Sequence, residues 1–133
     1  MEFKENEAIY MQIGAYVGQN ILLGKWTAEQ KIPSVRDMAV ELQVNLNTVM
    51  RAYEFLESIG VIYNKRGLGF FVAPDGYEKI KAYRKEKFVR QDLPSLFNNL
   101  HLLDITQEEL FDWYRDFMAA NYPNNEKYRN ESK

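Results

Sequence analysis

The sequence predicts an α+β fold in which three helices precede a short β-hairpin and further helices follow. The central observation concerns residues 45–60 of the 133-residue chain, where apolar side chains recur at helical spacing. Asn45 is a good N-cap for that helix, and Gly60 suits the left-handed position that follows a helix. A second observation is that residues 61–72 are rich in Val, Ile, Tyr and Phe around a glycine-containing turn, as in a β-hairpin.

Two further helices are predicted before the central one. Residues 8–23 carry apolar side chains at mostly helical spacing, and Gly24 ends that helix. Ser34 caps the second helix, and a turn of about three residues, 43–45, joins it to the third. That separation is the one used in a helix-turn-helix. We also expect Ile32 to form a single β-bridge with the hairpin.

The hairpin has the features of a wing, which is a loop that lies along DNA beside a reading helix. Two strands, 61–64 and 68–72, flank the basic turn Lys65–Gly67. Its glycine, together with Gly69, accepts a positive φ and lets the backbone approach another surface closely. The alternative is an exposed turn with solvated charges, and the preceding helix pair favours the wing.

Composition excludes several kinds of site. The chain has no cysteine and one histidine, which excludes disulfides, thiolate metal ligands, cysteine nucleophiles and histidine-rich metal sites. His101 lies in an apolar run, where a packed and hydrogen-bonded role is favoured. No transmembrane run and no signal peptide are recognised, and the lack of cysteine fits a reducing cytoplasm. The sequence contains no glycine-rich phosphate loop and no paired nucleophile and base that would indicate an enzyme. We therefore expect no cofactor.

The charge distribution matters more than the net charge of −2, which alone disfavours nucleic acid. Residues 74–90 are rich in Lys and Arg, whereas residues 104–118 are rich in Asp and Glu. Between residues 33 and 72, four basic residues match four acidic ones. Any basic patch in that stretch must therefore arise from the placement of the residues in space.

Residues 9–73 resemble the winged-helix domain of the GntR family of bacterial transcription regulators. The matching segments are IYMQI at 9–13, ILLGKW at 21–26, IPSVRDMAVEL at 32–42, NTVMRAYEFLESIGVI at 47–62 and RGLGFFV at 66–72. The short remainder resembles the compact YtrA-type subfamily, in which a small helical segment dimerises the protein. This resemblance implies three divisions: a DNA-binding domain at 1–73, a dimerisation segment at 74–120 and a flexible tail at 121–133.

The resemblance also implies roles for particular residues. Arg36 matches an arginine that reads operator bases or phosphates, the alternative being a surface arginine paired with a carboxylate. Asn47 and Thr48 match polar positions at the start of the reading helix, where the helix N-terminus favours phosphate. Asn45 is a plain N-cap, a phosphate contact or both. The predicted DNA-binding residues are Ser34, Arg36, Asn45, Leu46, Asn47, Thr48, Met50, Arg51, Lys65, Arg66, Gly67 and Gly69.

Two positions depart from the family pattern. Leu46 stands where many members have arginine, and Met50 stands where a second arginine or another polar residue is common. Arg51 is adjacent to Met50 but rotated by about 100° around the helix. Leu46 is able to contact a thymine methyl group, which is an apolar mode of readout. The operator of a relative therefore cannot be transferred to this chain.

The C-terminal part predicts a dimer interface. Pro94 kinks or breaks a long helix that starts near Gly76, and Thr106 begins a capping box for the last helix. Aromatic side chains on these helices cover more than one face, which indicates contact between subunits. The alternative is that Trp113 and Phe117 cover the first helix of the same chain. The predicted interface residues are Ile80, Tyr83, Phe88, Leu96, Leu100, Leu110, Trp113, Tyr114 and Phe117.

The sequence therefore predicts a DNA-binding transcription regulator that works as a homodimer on double-stranded operator DNA. Two-fold symmetry implies an inverted-repeat operator, and the resemblance implies repression. The alternative is a winged-helix module for protein contact without specific DNA binding, which near-neutral charge and the apolar Leu46 and Met50 support. A small-molecule effector would have to bind between the dimer helices or at their junction with the wing domain, and no membrane association is expected.

Overall fold

The structure is a computed structural model that describes residues 1–125. Within that range the chain forms six helices and one two-stranded sheet. The elements are α1 (Ile9–Leu22), α2 (Val35–Leu42), α3 (Leu46–Ser58), β1 (Ile62–Lys65), β2 (Gly69–Val72), α4 (Gly76–Gln91), α5 (Leu93–Leu102) and α6 (Gln107–Asn121). This order confirms the predicted α+β class.

Side-chain caps set the boundaries of the helix-turn-helix. The Ser34 hydroxyl oxygen accepts the backbone N–H of Asp37 at 3.0 Å, and Asn45 Oδ1 accepts the N–H of Asn47 at 2.7 Å. Both N-caps were predicted and are confirmed. After α2 the chain turns at Gln43, which has a φ of +56°, and after α3 at Gly60, with a φ of +79°. The turn thus uses glutamine where a glycine is common.

The hairpin pairs β1 with β2 in antiparallel register, from Ile62 opposite Val72 to Lys65 opposite Gly69. Each strand begins one residue later than predicted. The isolated bridge joins Lys31 to Phe71, so the prediction of a bridge at Ile32 was wrong by one residue. Ile32 is instead buried in the core, while its N–H donates to the Phe70 carbonyl at 3.0 Å.

One apolar core holds the first part of the chain together. It is formed by side chains of α1, α2, α3, the hairpin and the start of α4. Tyr53 and Leu56 are fully buried in it, as expected for core positions. Ile80 is only 2% exposed and packs in the same core against Gly18, where an added Cβ would lie 2.7 Å from Ile80 Cγ1. The prediction that Ile80 forms a dimer interface is therefore wrong, because its side chain has no free surface.

The chain divides into two compact units, Met1–Glu86 and the part from Lys87 onward. Pro94 stands in the first turn of α5, where its missing N–H is not needed, and the predicted interruption is a break between α4 and α5. Thr106 and Glu109 form the predicted capping box of α6. The functional division near residue 73 stays a prediction. Most of the predicted flexible tail, residues 126–133, lies outside the described residues.

Candidate nucleic-acid interface

The helix α3 has one buried and one exposed face. Val49, Ala52, Tyr53 and Leu56 form the buried face. The first turn of the exposed face carries Leu46, which is 44% exposed, and Met50, which is 39% exposed, follows one turn later. The helix therefore offers an apolar strip on one side of its exposed face, with polar groups beside it.

Polar side chains lie beside that apolar strip. Asn45, Asn47, Arg51 and Glu54 are exposed, whereas Thr48 is half-buried. Asn45 uses its side-chain oxygen as the N-cap, which leaves its amide N–H groups free to donate to a phosphate. The N-terminus of α3 adds unsatisfied backbone N–H groups and a partial positive charge. This end of the helix is suited to an anion.

A hydrogen bond from α3 fixes the start of α2. The Tyr53 hydroxyl donates to the Pro33 carbonyl oxygen at 2.7 Å. Burial raises the pKa of Tyr53, and the carboxylates of Glu41 and Asp37 raise it further, so the hydroxyl keeps its proton. Because Pro33 directly precedes the N-cap of α2, the bond sets the position from which Arg36 projects.

Arg36 and Ser34 lie at the beginning of α2. Arg36 is exposed and forms no ion pair with any carboxylate of residues 1–125, which disfavours the alternative of a structural surface pair. The Ser34 hydroxyl accepts the Asp37 N–H and still has its own proton to donate. The contacts of both residues with DNA stay predictions.

The wing, which comprises β1, β2 and the turn between them, presents basic side chains. Gly67 has a φ of +81° and Gly69 a φ of +117°, and both values favour glycine. Lys65 Nζ lies 4.8 Å from the ring centroid of Phe71, so the lysine stem rests on an aromatic surface. Arg66 is exposed at the tip.

Sequence reasoning missed Lys31, which lies beside the wing. Lys31 pairs with Phe71, and its Cε lies 3.0 Å from the place that a Cβ on Gly69 would take. The missing side chain of Gly69 therefore gives the lysine its path across the strand. The predicted bridge at Ile32 was the signal that could have placed its neighbour there.

Sequence reasoning also missed Tyr10. The Arg51 guanidinium carbon lies 3.9 Å from the centroid of the Tyr10 ring, within the range of a cation–π contact. No sequence signal pairs these residues, since Tyr10 lies on α1 and Arg51 on α3, with α2 between them in the chain. In the part of the chain that is described, no group of acidic or histidine residues could hold a metal ion, and no helix is long and apolar enough to cross a membrane.

The family model of the bacterial regulatory proteins of the gntR family matches residues 9–72. Among curated proteins, the HTH-type transcriptional regulator YhcF of Bacillus subtilis strain 168 is 30% identical over 116 residues, which cover 87% of this chain and 94% of YhcF. The HTH-type transcriptional repressor YtrA of the same organism is 28% identical over 116 residues, covering 87% of this chain and 88% of YtrA.

Solved structures give the same result. A transcriptional regulator of the GntR family from Bacteroides thetaiotaomicron is 46% identical, with a TM-score of 0.73 over 85% of this chain and 98% of that one. The DNA-binding domain of AraR, solved in complex with operator ORR3, is 29% identical with a TM-score of 0.50, over 55% of this chain and 88% of that one. The first resemblance spans both compact units, and the second covers little more than half of the chain.

Proposed function

Because the chain belongs to the GntR family of bacterial regulatory proteins, and is a transcriptional regulator with a DNA-binding domain of that type, we propose that it represses transcription as a homodimer on an inverted-repeat operator. Each subunit places the exposed face of α3 in a major groove of the operator. The wing lies beside that helix, against the phosphate backbone and the adjacent minor groove. Repression follows from occupation of a promoter.

The observation that carries this proposal is that the N-terminal turn of α3 is exposed on one face of the helix, while the opposite face is buried. The buried face of α3 packs in the core and fixes the helix, while the side chains of its other face point outward. Arg36 stands at the start of α2, whose position the Tyr53–Pro33 bond sets. The fold of the AraR domain, which was solved with its operator, supports the same use of this surface.

The dimer is supported by the second unit, whose apolar side chains lack burial within the described chain. The helices α5 and α6 contain no buried residue. Trp113 is 54% exposed and Phe117 is 56% exposed, and they stand one turn apart on α6. An open groove of about 970 Å³ lies between the end of α4, α5 and α6. Its apolar lining comprises Phe88, Leu93, Leu96, Leu110, Phe111 and Tyr114.

A second copy of the chain is the occupant that these features favour. An exposed aromatic ridge beside an apolar groove on one small unit is self-complementary, as a two-fold interface requires. The repressor role draws support from YtrA, which is named a transcriptional repressor and has nearly the same length. We infer that two wing domains joined in this way read two half-sites of opposite direction.

Selection of bound duplexes from a random DNA pool tests the proposal. The wild-type chain should enrich an inverted repeat. Arg36→Ala should bind that duplex more weakly by about 1–3 kcal/mol if the arginine reads a base, and it should relax the preference at that position. Arg84→Ala is the matched control, because Arg84 is an exposed arginine on α4 outside the predicted site.

The same experiment addresses a protein-contact function. Leu46 and Met50 give the exposed face of α3 an apolar strip that suits a protein partner as well as thymine methyl groups. Specific DNA binding should weaken steeply with salt, since phosphate contacts release counterions. A folded wild-type chain that enriches no duplex at low salt would contradict the operator function and favour the protein-contact module.

A further inference from the structure

One arginine of α3 is held in place by α1. The Arg51 guanidinium lies over the ring of Tyr10 at 3.9 Å, and Tyr10 is itself half-buried at the start of α1. We propose that Tyr10 is a positioning residue that presents Arg51 to a DNA phosphate at the edge of the major groove. This inference rests on the operator binding proposed above, and it assigns Tyr10 a part in that binding.

The position of Arg51 on the helix indicates a phosphate rather than a base. Leu46 and Met50 lie on the side of the exposed face of α3 that is nearer α2, and Arg51 is rotated by about 100° from Met50 toward α1. When the side with Leu46 and Met50 faces the base edges of a major groove, the residues on either side of it meet the two backbones. Arg51 therefore stands on the flank that faces one strand.

The direction of the side chain strengthens the assignment. The Cα–Cβ bond of a helical residue tilts toward the helix N-terminus, so the Arg51 side chain leaves α3 on the side of the turn that holds Asn47, four residues earlier. Asn47 is exposed in the first turn, at the positive end of the helix dipole. Arg51 and the helix N-terminus thus converge on the same side of α3, where one phosphate group could accept hydrogen bonds from both.

The aromatic contact suits a positioning role because it uses the face of the guanidinium. A guanidinium stacked through its face keeps the N–H donors at its edge, which are the groups that bind phosphate. A free arginine side chain samples many rotamers, and binding must order it at an entropic cost. The Tyr10 ring restricts those rotamers before DNA arrives, so less conformational entropy is lost on binding.

The test measures binding of the full chain to the duplex that the wild type enriches, with a mixed-sequence duplex of equal length as the reference. Tyr10→Leu removes the aromatic face and should weaken binding about three- to tenfold, because the arginine side chain must then be ordered on binding. Tyr10→Phe retains the face and should bind within about twofold of the wild type. Thermal unfolding of each variant shows whether the wing domain remains folded.

Arg51 variants separate positioning from packing. Arg51→Ala should weaken binding and reduce the slope of log affinity against log salt by about one, because one phosphate contact is lost. Tyr10→Leu should leave that slope unchanged, because the charge remains. The double variant Tyr10→Leu with Arg51→Ala should bind no more weakly than Arg51→Ala alone, since the tyrosine acts through the arginine.

A further variant leaves Tyr10 intact. Arg51→Lys keeps the charge but loses the planar group, so it should also bind several-fold more weakly than the wild type. Unchanged affinity in Tyr10→Leu or Arg51→Lys would overturn the inference, as would additive losses in the double variant. A loss of affinity in Tyr10→Phe equal to that in Tyr10→Leu would assign the effect to the hydroxyl and would also overturn the inference.

A wild type that enriches no duplex overturns the operator function and this inference together. Enrichment by the wild type, with unaffected variants, overturns only the role of Tyr10.

Discussion

A single buried hydroxyl links the third helix to the start of the second. Tyr53 is fully buried, and its hydroxyl donates to the Pro33 carbonyl at 2.7 Å. Tyr53→Phe keeps the ring in the core but leaves that carbonyl without this donor. We expect the free energy of unfolding to fall by about 1–3 kcal/mol at neutral pH. Urea unfolding measures this change. Tyr122→Phe is the control, because Tyr122 is exposed and should change stability by less than about 0.5 kcal/mol.

The difference in the free energy of unfolding between the wild type and Tyr53→Phe should depend on pH, because the Tyr53 hydroxyl titrates. Burial raises the pKa of Tyr53 above its ordinary value of 10.0, so the folded chain holds the proton more tightly than the unfolded chain. The stabilisation is therefore complete below pH 10 and declines as the pH rises above it, because the unfolded chain releases the proton first. The difference between wild type and variant should therefore shrink as the pH rises above about 10. A constant difference would contradict this account of Tyr53.

Individual residues also show which features a sequence can reveal. Ser34 and Asn45 were predicted as caps because an N-cap is a local interaction with the next two or three residues. Gln43 adopts a positive φ as the C-cap of α2, which its side chain does not favour and which the sequence therefore does not signal. Ile80 was assigned to an interface because its apolar character does not show whether its partner is the same chain or another. The contact between Tyr10 and Arg51 depends on how α1 crosses α3, which no local pattern specifies.

At the scale of elements, the wing separates two glycines with different requirements. Gly67 and Gly69 both have positive φ, but nothing lies within 4 Å of a Cβ added to Gly67, whereas a Cβ on Gly69 meets Lys31 Cε at 3.0 Å. Alanine at Gly67 should cost about 1–2 kcal/mol of backbone strain. Alanine at Gly69 should cost at least as much, because its φ lies further from the left-handed helical region. Because the end of a lysine moves easily, Gly69→Ala should displace Lys31 rather than unfold the strand. Its main effect is therefore expected in DNA binding.

The alanine variants of Gly67 and Gly69 should differ in their affinity for DNA. Gly69→Ala should bind the selected operator at least about threefold more weakly than Gly67→Ala under conditions in which both remain folded, because it displaces Lys31, which we expect to contact a phosphate. Fluorescence anisotropy with a labelled duplex measures the affinities. Equal affinities would show that Lys31 does not approach DNA and that Gly69 is needed only for its backbone angle. The hairpin itself was predictable from its β-branched and aromatic residues, but its third pairing segment at Lys31 was placed one residue away because register depends on long-range contacts.

At the scale of the whole molecule, the net charge of −2 and the DNA-binding fold are compatible because charge is distributed unevenly along the chain. The α+β class and the order of elements were predictable, since periodicity, caps and glycines are local signals. The predicted aromatic surplus of the last helices corresponds to exposed side chains in the described structure. What those side chains contact depends on the assembly, which the sequence of one chain does not encode as a local pattern.

The assembly prediction concerns Trp113 and Phe117, which lie four residues apart on α6 and expose more than half of their surfaces. If they meet a second copy across a two-fold axis, any substitution enters the interface twice. The variant with Trp113→Lys and Phe117→Lys should therefore lose at least about 3 kcal/mol of association free energy, since it removes large apolar contacts and places ammonium groups in an apolar environment. Sedimentation velocity should show a dimer for the wild type and a folded monomer for this variant. Val40→Lys is the control, because Val40 is 74% exposed on α2 and lies outside the predicted interface.

The monomer should also lose its preference for the inverted repeat over a single half-site, because only a dimer engages both half-sites at once. A double variant that still sediments as a dimer would place the interface on another surface.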